Sequence, residues 1–343
     1  MDTGQDAVAI AATNALFAEL DPTGPGCTLA IGRAGKVVFA NAWGAADIES
    51  GTSMSIDTVV DVGSTSKQFT ATAILLLAER GTIDLDAALS TYVDGLPDWS
   101  DVVTLRQMAH HVSGIPDYID LLVGDGITFQ DPAGDADVLA VLRTAELDVP
   151  VGDHFEYSNS NYFLLGQVVL QVTGEHLGDF LAHEVFAPLG LDMVMDPTVS
   201  IVGKATSYEL ADGEWANADS PWSQTGDGGI QTTPTQLVRW ATQYWEPTIG
   251  DDAAALAHTR IEDTVDEDED GDGDERYGWG IGAYRHTGLG TVFSHSGGWA
   301  GFATIFAVLP DERLVVAGTC TAYELDVEQH DLETELLQIW HHA

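Results

Sequence analysis

The stretch Asp61-Val62-Gly63-Ser64-Thr65-Ser66-Lys67-Gln68-Phe69 sets a serine and a lysine three residues apart. The strongly apolar run Ala71-Thr72-Ala73-Ile74-Leu75-Leu76-Leu77-Ala78 follows at once. If that run is a helix, Ser64 and Lys67 share one face of its first turn, and the amine lies near the hydroxyl. A serine is a weak nucleophile at its free pKa and needs an adjacent base. A lysine serves only when neutral, a state that desolvation and the positive end of a helix dipole both favour. A helix apolar nearly all round is a buried one. The same residues also read as a serine-rich helix cap followed by a solvated lysine. Composition bears on the choice: the chain has three lysines, Lys36, Lys67 and Lys204, and only Lys67 has a serine three residues before it.

The 343 residues suffice for one large or two ordinary domains, and an apolar fraction of 45% supports a substantial core. Twelve basic residues face 55 acidic ones, a net charge of −43. Self-repulsion at that density opposes the compact state in dilute buffer. Molar salt shortens the Debye length to about 3 Å and removes most of it. The expectation is a salt-adapted, halophile-type cytoplasmic protein. The charge argues against nucleic-acid or anionic-membrane partners, which need clustered lysine and arginine. The N-terminus lacks the layout of a signal peptide, the first basic residue being Arg33. No run reaches the roughly 18 to 20 apolar residues of a membrane span. Cys27 and Cys320 form no metal or redox motif, and buried free thiols are the default expectation, with a disulfide left open.

Periodicity predicts helices over 5–20, from Ser64 to Arg80 with Gly81 as the capping glycine, and over 136–147, 160–173, 175–190 and 327–341. A further helix follows Pro234. Cys27 to Ile31 and Val37 to Ala42 read as strands joined at Gly32-Arg33-Ala34-Gly35. Tyr277 to Ile281, Gly301 to Leu309 and Arg313 to Thr319 read as strands as well. Strands at both ends and helices between them imply one sheet built from the N- and C-terminal parts, with a long helical insertion. The chain is read as one domain, 1–343. Its α/β part covers about 1–62 and 277–343, its helical part about 64–260, and 262–276 is an acidic loop.

Two further constellations carry chemistry. Tyr157-Ser158-Asn159 sits in a loop just before a helix. A phenol near an amine can shuttle protons, and an asparagine amide can orient that amine or hold a substrate carbonyl. His295-Ser296-Gly297-Gly298-Trp299 lies beside a strand, where glycines let a substrate approach the backbone and free N–H groups can serve as an oxyanion hole. Read singly, the first is also a helix cap and the second a glycine-rich turn.

Taken together, the order S-x-x-K, Y-x-N, H-x-G resembles the serine β-lactamase and penicillin-binding-protein superfamily. It is most similar to the branch of class C β-lactamases, D-alanyl-D-alanine carboxypeptidases, D-aminopeptidases and β-lactamase-like esterases. The blocks Gly63 to Ala71, Thr104 to Tyr118 and Gly228 to Thr233 add to the likeness, which spans about residues 10 to 340. It implies an α/β (α+β) fold: an antiparallel sheet flanked by helices, plus a mainly helical subdomain. It also implies a serine hydrolase that acts on a small ester or amide through an acyl-enzyme, with no metal or other cofactor. Ser64 would be the nucleophile, Lys67 its base and Tyr157 the proton carrier. Asn159 would position Lys67 and substrate, and His295 would line the strand edge. The N–H groups of Ser64 and Gly298 would form the oxyanion hole, with Tyr118 and Trp299 as pocket walls.

One departure bears on substrate. His295 stands where typical β-lactamases carry a lysine, and a mostly neutral histidine gives less hold on a substrate carboxylate. That points away from β-lactam turnover and toward esterase, amidase or D-amino-acid peptidase chemistry. A non-catalytic, penicillin-binding-like module is the competing reading. A metal site at His110-His111 or His341-His342 lacks a third ligand at a known spacing. The acidic run Asp266 to Asp274 resembles the start of a calcium loop, but Tyr277 stands where the required glutamate would be. Oligomeric state is not legible.

Overall fold

A computed structural model describes residues 3–253, 264–266, 275–323, 329–341 and 343. The main sheet has eight strands, here numbered along the chain. They are β1 (Cys27–Arg33), β2 (Lys36–Trp43), β3 (Val265–Asp266), β4 (Glu275–Gly278), β5 (Ile281–His286), β6 (Gly290–Trp299), β7 (Phe302–Leu309) and β8 (Leu314–Cys320). Their order is β3-β4-β5-β6-β7-β8-β1-β2, every pairing antiparallel. The last strand therefore pairs with the first, joining the two ends of the chain.

The hairpins are tighter than the sequence suggests. Arg33 pairs with Lys36, so the turn is only Ala34-Gly35, both at positive φ (48° and 75°). That matches the twist of the flanking strands in a two-residue loop. Tyr277 to Ile281, read as one strand, is a second such turn: Gly278 pairs with Ile281 around Trp279 and Gly280, at φ 52° and 80°. A Cβ on Gly280 would lie 2.4 Å from the Gln68 nitrogen, so the hairpin tip packs directly on the start of the Ser64 helix. The stretch 262–276, read as an acidic loop, is strand at its described ends, where Val265–Asp266 pairs with Arg276 and Tyr277. Residues 267–274, with most of the calcium-loop-like run, lie outside the described residues.

Side chains of β7 and β8 are buried on both faces, which is why these strands read as continuous apolar runs rather than alternations. On one face, Val292, Ile305, Ala307, Leu314 and Val316 meet helices α1 (Thr3–Leu16) and α5 (Gln329–His341) through Ala9, Leu336 and Trp340. On the other, Phe293, Phe306, Val308 and Val315 meet the helical part, led by α2 (Lys67–Glu79), α3 (Asn159–Thr173) and α4 (Pro234–Trp240).

Every residue of α2 from Lys67 to Leu77 is buried. Burial all round requires partners on every side, and α3, the segment Leu177–Leu181, Trp240 of α4 and the hairpin tip at Gly280 supply them. The helix stops at Gly81 (φ 68°), where Thr82 N donates to Leu77 O and Gly81 N to Ala78 O, both at 2.9 Å. This is the paired-bond glycine cap.

The expectation of free thiols is corrected. Cys27 and Cys320 are directly opposite in the β1–β8 pair, with Cα atoms 4.0 Å apart, and form a disulfide. They are 293 residues apart in sequence, so only the pairing of first and last strands brings them together.

Candidate active site

Ser64 lies not in the helix but in the 3-10 turn Gly63–Ser66 that leads into α2. A 3-10 turn has three residues per turn, so positions i and i+3 eclipse. Lys67 Nζ accordingly donates to Ser64 Oγ at 3.0 Å. Gly63 is at φ 52°, and a Cβ there would lie 2.6 Å from the Gly298 nitrogen. Glycine is thus required twice, for the backbone angle and for the close approach of the Ser64 turn to β6.

Lys67 is fully buried and its three ammonium hydrogens have three acceptors. Besides Ser64 Oγ these are Asn159 Oδ1 at 2.7 Å and the Asp227 carbonyl at 2.8 Å. Burial pulls its pKa down to about 8, opposed by the nearby Asp227 and Asp117 charges. Loss of one proton leaves two N–H bonds for Asn159 and Asp227 and turns a lone pair toward Ser64. The amine can then accept the serine's proton.

Asn159 opens α3. Its Nδ2 and backbone N both donate to Asp117 Oδ2, at 2.8 and 2.9 Å. An ammonium can only donate, so Oδ1 must face Lys67 and Nδ2 must face Asp117. Asn159 therefore holds Lys67 through Oδ1. Its amide nitrogen is directed at Asp117, where the sequence reading had also assigned it to substrate. Asp117 caps the helix Tyr118–Gly124 through the Ile119 nitrogen, which ties the Y-x-N loop to the segment after Ser113-Gly114-Ile115-Pro116.

Tyr157 stands in the loop before α3, 37% exposed, the degree of access that proton exchange with substrate needs. Its ring stacks on His111 (centroids 4.3 Å, 27°), and Lys67 Nζ lies 4.9 Å from its centroid. His111 is fully buried; its Nδ1 receives Ser158 N at 3.1 Å and faces Asn161 Nδ2 at 3.2 Å. Burial, with Lys67 next, holds it well below the usual histidine range, hence neutral. His111 is thus the underside of the Tyr157 loop. The sequence reading weighed it only as a metal ligand.

Along β6, β5 runs beside the strand only as far as Gly282 opposite Ser294. Beyond that, the Ser64 turn takes the place of a strand: Thr65 Oγ1 donates to His295 O at 3.3 Å, and a Cβ on Gly297 would lie 2.0 Å from Val62 O. His295 Nδ1 donates to the Ser296 carbonyl at 2.5 Å, which leaves Nε2 to accept from Tyr277 O–H at 2.9 Å. Burial, then the Lys67 charge, pushes its pKa down to about 4, so it is neutral at physiological pH. A cavity of about 430 Å³ is lined by Ser64, Tyr157, Tyr277, His295, Ser296 and Gly298, among others.

Two expected wall residues are elsewhere. Tyr118 is fully buried behind the site; its hydroxyl donates to Asp227 Oδ2 at 2.8 Å and accepts from Gln224 Nε2 at 2.8 Å. Trp299 packs on Trp222 and Phe129 and lines a neighbouring cavity with Asp61 and Lys204. Asp227 is buried, and its carboxyl is raised to about 6 by desolvation, against the pull of Lys67. Asp117, Asp227, Tyr277 and His111 were all missed as site residues. His111 and Asp117 lie within the Thr104 to Tyr118 block and Asp227 adjoins Gly228-Gly229; Tyr277 is marked as the start of a predicted strand.

A family model described as Beta-lactamase matches residues 14–338. The chain belongs to the beta-lactamase family. Within this family's reach, the D-aminopeptidase of Brucella anthropi is 30% identical over 303 residues, covering 85% of this chain and 55% of the relative. The chain spans about half the length of the curated relatives it matches. The octameric penicillin-binding protein homologue from Pyrococcus abyssi superposes with a TM-score of 0.83 at 23% identity, covering 99% of this chain and 77% of that one. A D-stereospecific amidohydrolase from Streptomyces sp. gives 0.80 at 21% identity, over 95% and 97%. These likenesses establish the β-lactamase and penicillin-binding-protein fold expected from the sequence. Among the described residues, no helix is long and apolar enough to cross a membrane.

Proposed function

We propose that this beta-lactamase-family chain is a serine hydrolase that opens small esters or amides through an acyl-enzyme on Ser64. One observation carries the reading: a buried amine with its pKa near 8 lies 3.0 Å from the serine hydroxyl. Ser64 Oγ bonds to the substrate carbonyl carbon as its proton passes to Lys67 Nζ. The negative oxygen that forms is met by the N–H groups of Ser64 and Gly298. The bond to the leaving group then breaks, the Tyr157 hydroxyl delivers the proton it takes away, and Lys67 returns to the neutral amine by passing the serine's proton to Tyr157. Water adds to the acyl-enzyme, loses a proton by the same route, and frees the acid and Ser64. Asn159 keeps Lys67 in place. His295, neutral and bonded to Tyr277, contributes a wall without charge. The kinship with proteins named D-aminopeptidase and D-stereospecific amidohydrolase supports an amide or ester substrate over a β-lactam. The acid excess supports a protein adapted to molar salt inside the cell.

The test is intact-protein and peptide mass spectrometry after a p-nitrophenyl ester or fluorophosphonate probe, in high salt. The expected result is one adduct on Ser64, absent in Ser64→Ala, with p-nitrophenol release that the variant abolishes. Turnover undiminished in Ser64→Ala would sink the reading.

A further inference from the structure

Among the described residues, the cavity in front of Ser64 has one formally charged residue in its wall, Glu275, at the start of β4. Every other side chain there is neutral: Tyr157, Tyr277, Tyr284, Ser294, His295, Ser296 and the serine itself. Two groups that might have supplied positive charge do not. His295 spends Nδ1 on the Ser296 carbonyl and Nε2 on Tyr277. Lys67 is fully buried, its hydrogens taken by Ser64, Asn159 and the Asp227 carbonyl, and it is not part of the wall. The wall thus bears a single carboxylate, with tyrosine rings beside it, in a chain of net charge −43.

A carboxylate next to aromatic faces is a site for a cation: the acid supplies an ion pair, and the ring quadrupole adds attraction. For an anionic group the same wall is repulsive, with no cation among its described residues to offset the cost of leaving water. We propose that Glu275 is a specificity-determining residue, which binds the ammonium group of an amine-bearing ester or amide and disfavours substrates that carry a carboxylate. This rests on the hydrolase reading above and extends it to a substrate class. Glu275 is exposed, so the ion pair is open to screening and its effect is modest at each salt concentration.

The experiment compares kcat/KM for the p-nitrophenyl esters of glycine and of propionate, which differ by an ammonium in place of a methyl group, at one salt concentration where the enzyme is folded. The ratio of the two values is then taken in wild type, Glu275→Gln and Glu275→Lys, so that the intrinsic reactivities of the esters cancel. The expected result is a glycine-to-propionate ratio that falls about fivefold in Glu275→Gln and further in Glu275→Lys. The monosuccinate ester should move oppositely, gaining on propionate in Glu275→Lys. Ratios that stay level across all three enzymes overturn the assignment of Glu275 while leaving the hydrolase reading intact. Turnover of neither ester by wild type, or turnover that survives Ser64→Ala, overturns the hydrolase reading and this inference with it.

Discussion

In the proposed mechanism Lys67 is the base, and its burial makes a pH prediction. Its folded pKa, about 8, lies below that of a free lysine because desolvation disfavours the ammonium. The neutral, proton-accepting amine is therefore scarce at pH 6 and dominant above about 8. For a neutral ester, kcat/KM is expected to rise about tenfold per pH unit from 6 to 7 and level off above about 8. A pH–rate profile flat from 6 to 9 would remove Lys67 as the base. His111 supports a second prediction. Its Nδ1 holds the Ser158 N–H at the foot of the Tyr157 loop, and its ring carries Tyr157. His111→Ala strands a buried N–H, at about 1–3 kcal/mol. It should also lower kcat more than it changes KM, because it acts through Tyr157 rather than on substrate. Urea melts and steady-state kinetics check both. His111→Asn, which keeps an acceptor, should recover part of the stability but less of the kcat.

At the level of elements, the site is a junction between the turn that opens α2 and the part of β6 that β5 leaves unpaired. Gly63 brings the Ser64 turn against Gly298 of β6, the close approach that the proposed oxyanion hole requires. Gly63→Ala would place a Cβ 2.6 Å from the Gly298 nitrogen at a φ of 52°. The turn must then move away from β6. The expected outcome is a loss of about 1–3 kcal/mol in thermal or urea unfolding and a fall in kcat of about a hundredfold or more. Gly81→Ala, at a similar φ of 68° but with open space around its Cβ, serves as the control. It should cost stability and leave kcat within about twofold, since the far end of α2 bears on nothing in the site. Equal effects on kcat from both variants would show that the Ser64 turn is not held by this contact.

For the whole molecule, the net charge of −43 and the Cys27–Cys320 bond act on stability in different ways. Charge repulsion falls with the Debye length, so the melting temperature should climb as KCl is raised from 0.1 M toward molar concentrations. A melting temperature independent of KCl would refute the salt-adaptation reading. The disulfide closes a loop spanning nearly the whole chain and restrains the unfolded state, by about 5–6 kcal/mol on the chain-entropy view. Cys27→Ser/Cys320→Ser should therefore unfold at lower urea with little change in kcat, because β7 stands between the pair and Gly298 of β6.

Much of this was legible from the chain alone. The order of strands and helices, the caps and the three spaced motifs follow from local periodicity and local chemistry, which a sequence records directly. Ser64, Lys67 and Asn159 do meet, because a three-residue spacing at a helix start and a polar residue at a helix cap each restrict where a side chain can go. What tertiary structure alone decided lies between distant segments. Asp117 and Asp227 reach Lys67 from positions 50 and 160 residues away, Tyr277 orients His295 across a hairpin, Tyr118 turns inward to Asp227, and Cys27 finds Cys320. Nothing local marks such residues. Their roles arise only when the core brings them out of water, where an unpaired charge or hydroxyl is too costly to leave alone. The stretch from Asp61 to Phe69 specified a serine beside a lysine. The burial of that lysine, and with it the pKa that makes it a base, came from the packing of α2, α3 and the sheet around it.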